Sequence, residues 1–177
     1  VTHLYEAPGT IRPLTESVIE SQASAKIIKV LARPGAAVKA GQTLIELDAR
    51  RLNTQVKQAM EGLSIARKQL TQAEKSRDES RAGHNQAESD YQRTAKLFKS
   101  AIVSSQKVDQ DKSLYLQAKA RLEKADQAVH AATAAIRQAE EVVKEARIGL
   151  SYSKITSPAD GVVAKRMADP GDLAVPG

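Results

Sequence analysis

The fold is decided by two stretches of sequence, LNTQVKQAMEGLSIARKQL at residues 52–70 and ATAAIRQAEEVVKEARIGL at residues 132–150. In both, small or apolar side chains recur at alternating spacings of three and four residues, a 3.5-residue average that is typical of a coiled-coil seam. The spacing continues through residues 52–150, almost without Gly or Pro. Antiparallel pairing of the two stretches places large side chains opposite small ones, such as Leu63 opposite Ala139, so the helices can approach closely. The pattern predicts a long helical hairpin.

The predicted seam has one stripe on each helix, with a turn near residues 100–103 between them. Members of the stripe are mostly aliphatic, and each is expected to face the other helix. On the first helix the stripe comprises Leu52, Val56, Ala59, Leu63, Ala66, Leu70, Ala73, Arg77, Ser80, His84, Ala87, Tyr91, Thr94 and Phe98, and on the second Val108, Asp111, Tyr115, Ala118, Leu122, Ala125, Val129, Ala132, Ile136, Ala139, Val143, Ala146 and Leu150.

Composition excludes several classes of protein. The 177 residues include one Phe, four Tyr and no Trp, too few large side chains for a broad compact core. The absence of Cys rules out disulfides and thiolate sites, and the three His are too scattered for a metal site. The formal net charge of +6 is spread along the helices, which argues against nucleic acid as a partner. No apolar run of about 18 residues is present that could span a bilayer.

Outside the helices the apolar period changes to two, which predicts short β-strands. An internal repeat relates the two β regions, because residues 25–41 align with residues 161–177 after a shift of 136 positions. In this alignment Lys29, Ala32, Pro34, Gly35 and Gly41 meet identical residues at Lys165, Ala168, Pro170, Gly171 and Gly177, and each Gly is expected to allow a tight turn with positive φ. The predicted strands are residues 17–24, 26–32, 42–48, 153–157, 161–167 and 172–175.

One half of this repeat has too few strands to bury an apolar face, so the two halves must dock. Docking brings Asp48 close to Ser153, a condition that an antiparallel hairpin satisfies. The predicted fold class is therefore α+β, with a long antiparallel α-helical coiled-coil hairpin inserted between the two halves of a small β-sandwich.

The β halves resemble those of the lipoyl/biotinyl fold, in residues 28–47 with Pro34-Gly35 and in ITSPADGVV at residues 155–163 followed by Pro170-Gly171. Such a fold split by a helical hairpin resembles the periplasmic adaptors of tripartite efflux and secretion systems, the membrane fusion protein family of AcrA, MexA, MacA and HlyD. The resemblance implies a periplasmic protein, anchored to or associated with the inner membrane, that links an inner-membrane transporter (RND, ABC or MFS) to a TolC-type outer-membrane channel for export of drugs, metals or proteins. It implies a trimer or hexamer, no enzymatic activity and no cofactor.

The same comparison sets the domain boundaries. Residues 1–13 would be a lead-in strand from a β-barrel domain, residues 14–48 the first lipoyl-like half, residues 49–152 the hairpin and residues 153–177 a truncated second half.

The end of the hairpin is the candidate site. Arg93 and Leu97 are four residues apart and share one ridge outside the seam. Leu97 and apolar residues of the turn, Ile102 and Val103, are therefore candidates for an exposed contact surface, although Leu97 packed against the turn and Arg93 in solvent is an equally simple interpretation. The family resemblance implies that Arg93, Leu97 and Ser104, with Asp109 five residues later, contact the channel. Ser104 is also a candidate N-cap of the second helix.

Two alternatives remain open from the sequence. The chain could be a lipoyl or biotinyl carrier domain with an inserted arm, in which case Lys154, at the return from the hairpin, is the nearest candidate for modification. It could also be a purely structural coiled-coil spacer with no channel partner. Modification at Lys154 or an inert hairpin tip would distinguish these from the adaptor.

Overall fold

The computed structural model describes residues 16–176. This part of the chain forms two compact units, of which one is Arg50–Leu150 and the other combines the flanking segments. The predicted α+β class, with a helical hairpin inserted into an antiparallel β-module, is confirmed. In chain order the elements are β1 (Ala25–Val30), β2 (Ala37–Val38), β3 (Thr43–Leu47), α1 (Arg50–Lys99), α2 (Ser105–Ser151), β4 (Lys154–Thr156), β5 (Gly161–Val162) and β6 (Leu173–Ala174).

The hairpin consists of α1, with 50 residues, and α2, with 47 residues. At 1.5 Å per residue, the helices are about 75 and 70 Å long. Residues of the predicted seam are buried or half-buried along both helices, with Ala66, Ala125 and Val143 among the most buried. Phe98 is the exception, because its side chain is exposed. Since α2 begins only at Ser105, too little of the second helix lies opposite Phe98 to cover it.

The β-module contains a four-stranded sheet in the order β4-β3-β1-β6 and a separate pair formed by β2 and β5. All of these strand pairs are antiparallel. Its described core consists of Ile27, Val38, Leu44 and Leu47. Pairing of β3 with β4 joins the segment before the hairpin to the segment after it, as the docking of two halves requires.

The sequence repeat is also a repeat of backbone hydrogen bonds. The Ile27 amide donates to the Asp172 carbonyl over 2.8 Å. After a shift of 136 residues, the equivalent Val163 amide donates to the Ala36 carbonyl over 3.0 Å. Pairing of β1 with β6 is likewise the counterpart of pairing of β5 with β2. The two halves of the module therefore exchange equivalent bonds around an approximate two-fold axis.

The glycines of the repeat have the predicted positive φ. The angle is 80° at Gly35, 104° at the equivalent Gly171 and 78° at Gly41. Each turn also positions an amide, since Gly35 donates to the Val163 carbonyl over 2.8 Å and Gly171 donates to the Ile27 carbonyl over 2.9 Å. Glycine adopts this region without the steric cost that a Cβ brings.

Two strand predictions are wrong. Residues 17–24 form only an isolated bridge between Ser21 and Pro176, and the Ser21 hydroxyl donates instead to the Ala23 carbonyl over 2.6 Å, a local bond that competes with a strand ladder. The strand predicted at 161–167 is limited to β5, because its partner β2 is only two residues long. The domain boundaries stay predictions, and the lead-in strand at 1–13 lies outside the described residues.

Candidate functional site

The hairpin turn follows directly from the way α1 ends. The Ile102 amide donates to the Leu97 carbonyl over 3.0 Å, and the Ala101 amide donates to the Phe98 carbonyl over 2.9 Å. These two bonds form a Schellman motif, which satisfies carbonyls at a helix C-terminus. Ala101 takes the left-handed position with φ of 57°, where glycine is usual. The predicted turn near residues 100–103 is therefore confirmed, and its backbone is fixed by hydrogen bonds.

Ser104 precedes α2 as its N-cap. The Lys107 amide donates to the Ser104 hydroxyl over 3.4 Å and lies 3.2 Å from the Ser104 carbonyl oxygen. The bond to the hydroxyl is longer than the usual range for an N–H donor. The capping role considered from the sequence is thus present, with a long bond, and Ser104 lies at an exposed position next to the turn.

Arg93 and Leu97 lie on one ridge of α1, outside the seam. Arg93 is exposed, and its guanidinium is 3.7 Å from the Asp90 carboxylate one turn earlier. Leu97 is 36% exposed, so its side chain is partly covered and still presents an apolar surface. Its backbone carbonyl supports the turn by accepting the Ile102 amide.

Apolar side chains are concentrated at this end. Ile102 is 67% exposed at the turn, Phe98 is exposed beside it, and Val103 is half-buried. Asp109 is exposed on the first turns of α2. The structure thus brings the six predicted site residues to one end of the hairpin. Their role in binding stays a prediction.

A buried polar cluster lies directly behind this surface. The Thr94 hydroxyl donates to Asp111 Oδ2 over 2.6 Å, and the Lys107 ammonium donates to Asp111 Oδ1 over 2.7 Å. The bonds to Lys107 and Thr94 hold the pKa of Asp111 below its usual range, against the opposing effect of burial. We call Thr94, Lys107 and Asp111 the clasp. Sequence reasoning missed it, although polar residues at seam positions Thr94 and Asp111 were a usable signal.

An aromatic group follows the clasp along the seam. Tyr91 stacks on Tyr115, with ring centroids 5.7 Å apart and an angle of 14° between the ring planes. The ring of His84 lies 5.4 Å from that of Tyr115. These contacts cross between α1 and α2, so aromatic rings join the two helices on the side of the clasp that faces away from the turn.

Lys154, the candidate for a carrier modification, lies within β4 and is paired in register with Glu46 of β3. Lys154 is the first residue of the strand and its side chain is exposed, so the carrier alternative stays open.

No protein-family model matches the chain. The multidrug resistance protein MdtA of Pantoea ananatis is 31% identical over 169 residues, which are 96% of this chain and 34% of that protein. MdtA of Yersinia enterocolitica is 27% identical over 169 residues, 96% of this chain and 32% of that protein. Among solved structures, MacA from Actinobacillus actinomycetemcomitans is similar with a TM-score of 0.59 and 27% identity, over 92% of this chain and 46% of MacA.

The similarity thus extends over both the hairpin and the β-module. The chain spans about a third of the length of the curated relatives it matches. Between residues 16 and 176, none of the helices has a segment that is both apolar and long enough to cross a membrane.

Proposed function

We propose, from the membership of this chain in the membrane fusion protein family of periplasmic adaptors, that it links an inner-membrane transporter to a TolC-type outer-membrane channel. The end of the hairpin docks on the channel, and the activity is assembly rather than catalysis. The observation that carries this proposal is the exposure of Leu97, Phe98 and Ile102 beside Arg93 at one end of the hairpin. Each helix of the hairpin has more than 45 residues.

Each side chain of the tip has a contact that suits it. The ion pair of Arg93 with Asp90 is exposed, and such pairs contribute little stability. The guanidinium can therefore exchange Asp90 for carbonyls or a carboxylate at the channel entrance, where charge-assisted bonds are stronger. Leu97 and Ile102 enter an apolar groove between channel helices, as apolar side chains of helical ligands do. Ser104 adds a polar contact at the turn, and Asp109 adds one on α2.

Assembly explains how a narrow arm supports transport. One hairpin cannot enclose a path for a substrate, so copies of the chain must lie side by side as a trimer or hexamer, with the β-modules in a ring. Docking opens the channel only if the tips bind its open state more tightly than its closed state. The protein acts in the periplasm in association with the inner membrane.

The decisive test compares two arginines of α1. Arg93→Asp reverses the charge at the tip, whereas Arg81→Asp makes the same change away from it. Arg81 is a matched control, because it too is exposed and pairs with an aspartate three residues earlier, Asp78, at 4.0 Å. We expect Arg93→Asp to abolish binding to a purified TolC-type channel, measured by biolayer interferometry, and Arg81→Asp to leave it unchanged.

The second arm of the test is efflux in cells that carry the full-length protein and its transporter. Arg93→Asp should reduce resistance to an exported compound, at an unchanged level of folded protein. If both variants bound the channel and supported efflux as the wild type does, docking at the tip would be refuted and the spacer alternative would be favoured.

A further inference from the structure

The clasp is the one place where buried polar side chains join the two helices of the described hairpin. Within Arg50–Leu150, Thr94 and Asp111 are the buried polar residues, and Asp111 is only 6% exposed. Several other hydroxyls on the helices donate to carbonyls of their own helix, such as Thr133 to the Val129 carbonyl over 2.9 Å. The clasp therefore differs from its surroundings in both burial and connectivity.

We propose that the clasp is a positioning device, which fixes the register of α1 against α2 at the docking end and so sets the spacing of the contact residues. This inference rests on the proposed function, because it explains how the docking surface is held in shape. Thr94 and Asp111 are positioning residues and do not themselves touch the channel.

Next to the clasp the seam holds the stacked rings of Tyr91 and Tyr115, which favour one alignment of the helices. Beyond them it contains small side chains such as Ala118 and Ala125, which can pack against one another in more than one alignment. A buried carboxylate, in contrast, keeps its hydrogen-bond partners in one alignment only. If α2 slipped by a turn, Asp111 would lose its bond to Thr94 and become a buried charge with too few partners, which is strongly unfavourable. A single polar layer fixes register in coiled coils for the same reason.

The position of the clasp makes this register matter for docking. Thr94 directly follows Arg93, while Asp111 lies two residues after Asp109. Arg93 belongs to α1 and Asp109 to α2, so their spacing depends on how the helices are aligned. A slip of one turn would move one relative to the other by about 5.4 Å. Such a displacement would prevent both residues from meeting one channel surface together.

The structure also connects the clasp to the contact ridge. Arg93, Thr94, Lys107 and Asp111 line one groove along the face of the hairpin, so the buried pair lies directly beneath the exposed ridge. Lys107 joins the two, since its ammonium reaches the buried carboxylate from a partly exposed position.

The test uses spin labels, because the chain has no native Cys. Lys96→Cys and Lys112→Cys place labels at exposed positions on α1 and α2 near the clasp. The distance between them, measured by double electron–electron resonance, should have one narrow distribution. In the apolar double variant Thr94→Val with Asp111→Leu, we expect helicity to be retained and the distribution to broaden or split. Thr133→Val is the matched control, since its hydroxyl bonds only to its own helix, and should leave the distribution narrow.

Channel binding is measured on the same variants without labels. We expect the double variant to bind a purified TolC-type channel at least tenfold more weakly. Asp111→Asn keeps an acceptor for Thr94 but removes the ion pair, so it should give a smaller change in the distance distribution and in channel binding. If the double variant does not fold, Asp111→Asn takes its place in the test. A narrow, unshifted distribution in the folded variants would overturn the proposal.

The outcomes separate this inference from the proposed function. If Arg93→Asp binds the channel normally, docking at the tip fails, but the label distances still test the clasp. Suppose instead that Arg93→Asp abolishes binding, and that the double variant has a broadened distance distribution but binds as the wild type does. Docking then stands and the positioning role is refuted.

Discussion

Ile102 and Leu97 are joined by a hydrogen bond of 3.0 Å from the Ile102 amide to the Leu97 carbonyl, so a residue of the proposed contact ridge also closes α1. Because Ala101 between them adopts φ of 57°, the turn has a defined conformation. The apolar side chains of Leu97 and Ile102 are consequently presented from a fixed backbone. Because these side chains are held in place before binding, the entropic cost of docking is lower.

The first prediction concerns Ala101. The left-handed region costs a residue with a Cβ about 1–2 kcal/mol relative to glycine. Replacing Ala101 by glycine removes this cost, but part of the gain in stability is lost because glycine makes the unfolded chain more flexible. We therefore expect Ala101→Gly to raise the free energy of unfolding by about 0.5–1 kcal/mol in urea denaturation followed by circular dichroism.

The control for this prediction is Ala120→Gly, at an exposed position in the interior of α2. The same change should lower stability there by about 0.5–1 kcal/mol, because glycine is a poorer helix former than alanine. Destabilisation by both substitutions would mean that Ala101 does not hold the left-handed conformation in solution.

Ala101 also shows how far the sequence can be interpreted. The end of the seam located the turn, but the usual glycine signal for a left-handed cap is absent, so the conformation could not be predicted. The repeated Pro-Gly turns were predictable, because Gly35 and Gly171 carry their conformation in their residue type. The clasp was not predicted, because its Thr94–Asp111 bond depends on two side chains 17 residues apart meeting in one register.

The second prediction concerns the equivalent turn glycines of the repeat. A Cβ at Gly35 or Gly171 would meet no atom within 4 Å, so the cost of alanine there comes from backbone conformation alone. Gly35→Ala and Gly171→Ala should each destabilise the β-module by about 1–2 kcal/mol. Hydrogen exchange at the Val163 and Ile27 amides, which bond around the two turns, should report the change locally.

Gly62→Ala is the matched control, since Gly62 is helical and a Cβ there also meets nothing within 4 Å. This variant should stabilise α1 by about 0.5–1 kcal/mol. The same Gly→Ala substitution would then lower stability at the turns and raise it in the helix. Such opposite changes in the free energy of unfolding would separate the backbone requirement of the turns from any effect of side-chain packing.

The third prediction is a dependence of stability on acid. The bonds from Lys107 and Thr94 lower the pKa of Asp111 in the folded state, so the ionised carboxylate favours folding. This contribution is complete above the ordinary aspartate pKa of about 3.9 and is lost as the pH falls below it, through the lower pKa of the folded state. Asp111→Asn should remove this contribution, and its unfolding free energy should fall less steeply than that of the wild type in acid.

Thermal unfolding between pH 2 and pH 6 would measure the effect. Thr94→Val, which removes one of the two bonds to the carboxylate, should flatten the acid dependence to a smaller extent. Thr133→Val should leave it unchanged, because that hydroxyl is not part of the clasp. Parallel acid profiles for wild type and Asp111→Asn would show that Asp111 does not couple protonation to folding.

The last prediction ranks the apolar contacts of the tip by the surface that each still exposes. Complete burial of a Leu or Ile side chain stabilises by up to about 3 kcal/mol. Leu97 is 36% exposed and Ile102 is 67% exposed, so docking can bury roughly twice as much of Ile102. Leu97→Ala should cost about 1 kcal/mol of channel binding and Ile102→Ala about 2 kcal/mol, which are roughly fivefold and thirtyfold losses in affinity. Leu116→Ala is the control, because Leu116 is 51% exposed on α2 outside the tip, and it should bind the channel with unchanged affinity. If Leu116→Ala weakened binding as much as Ile102→Ala, the contact would extend along the arm rather than being confined to its end.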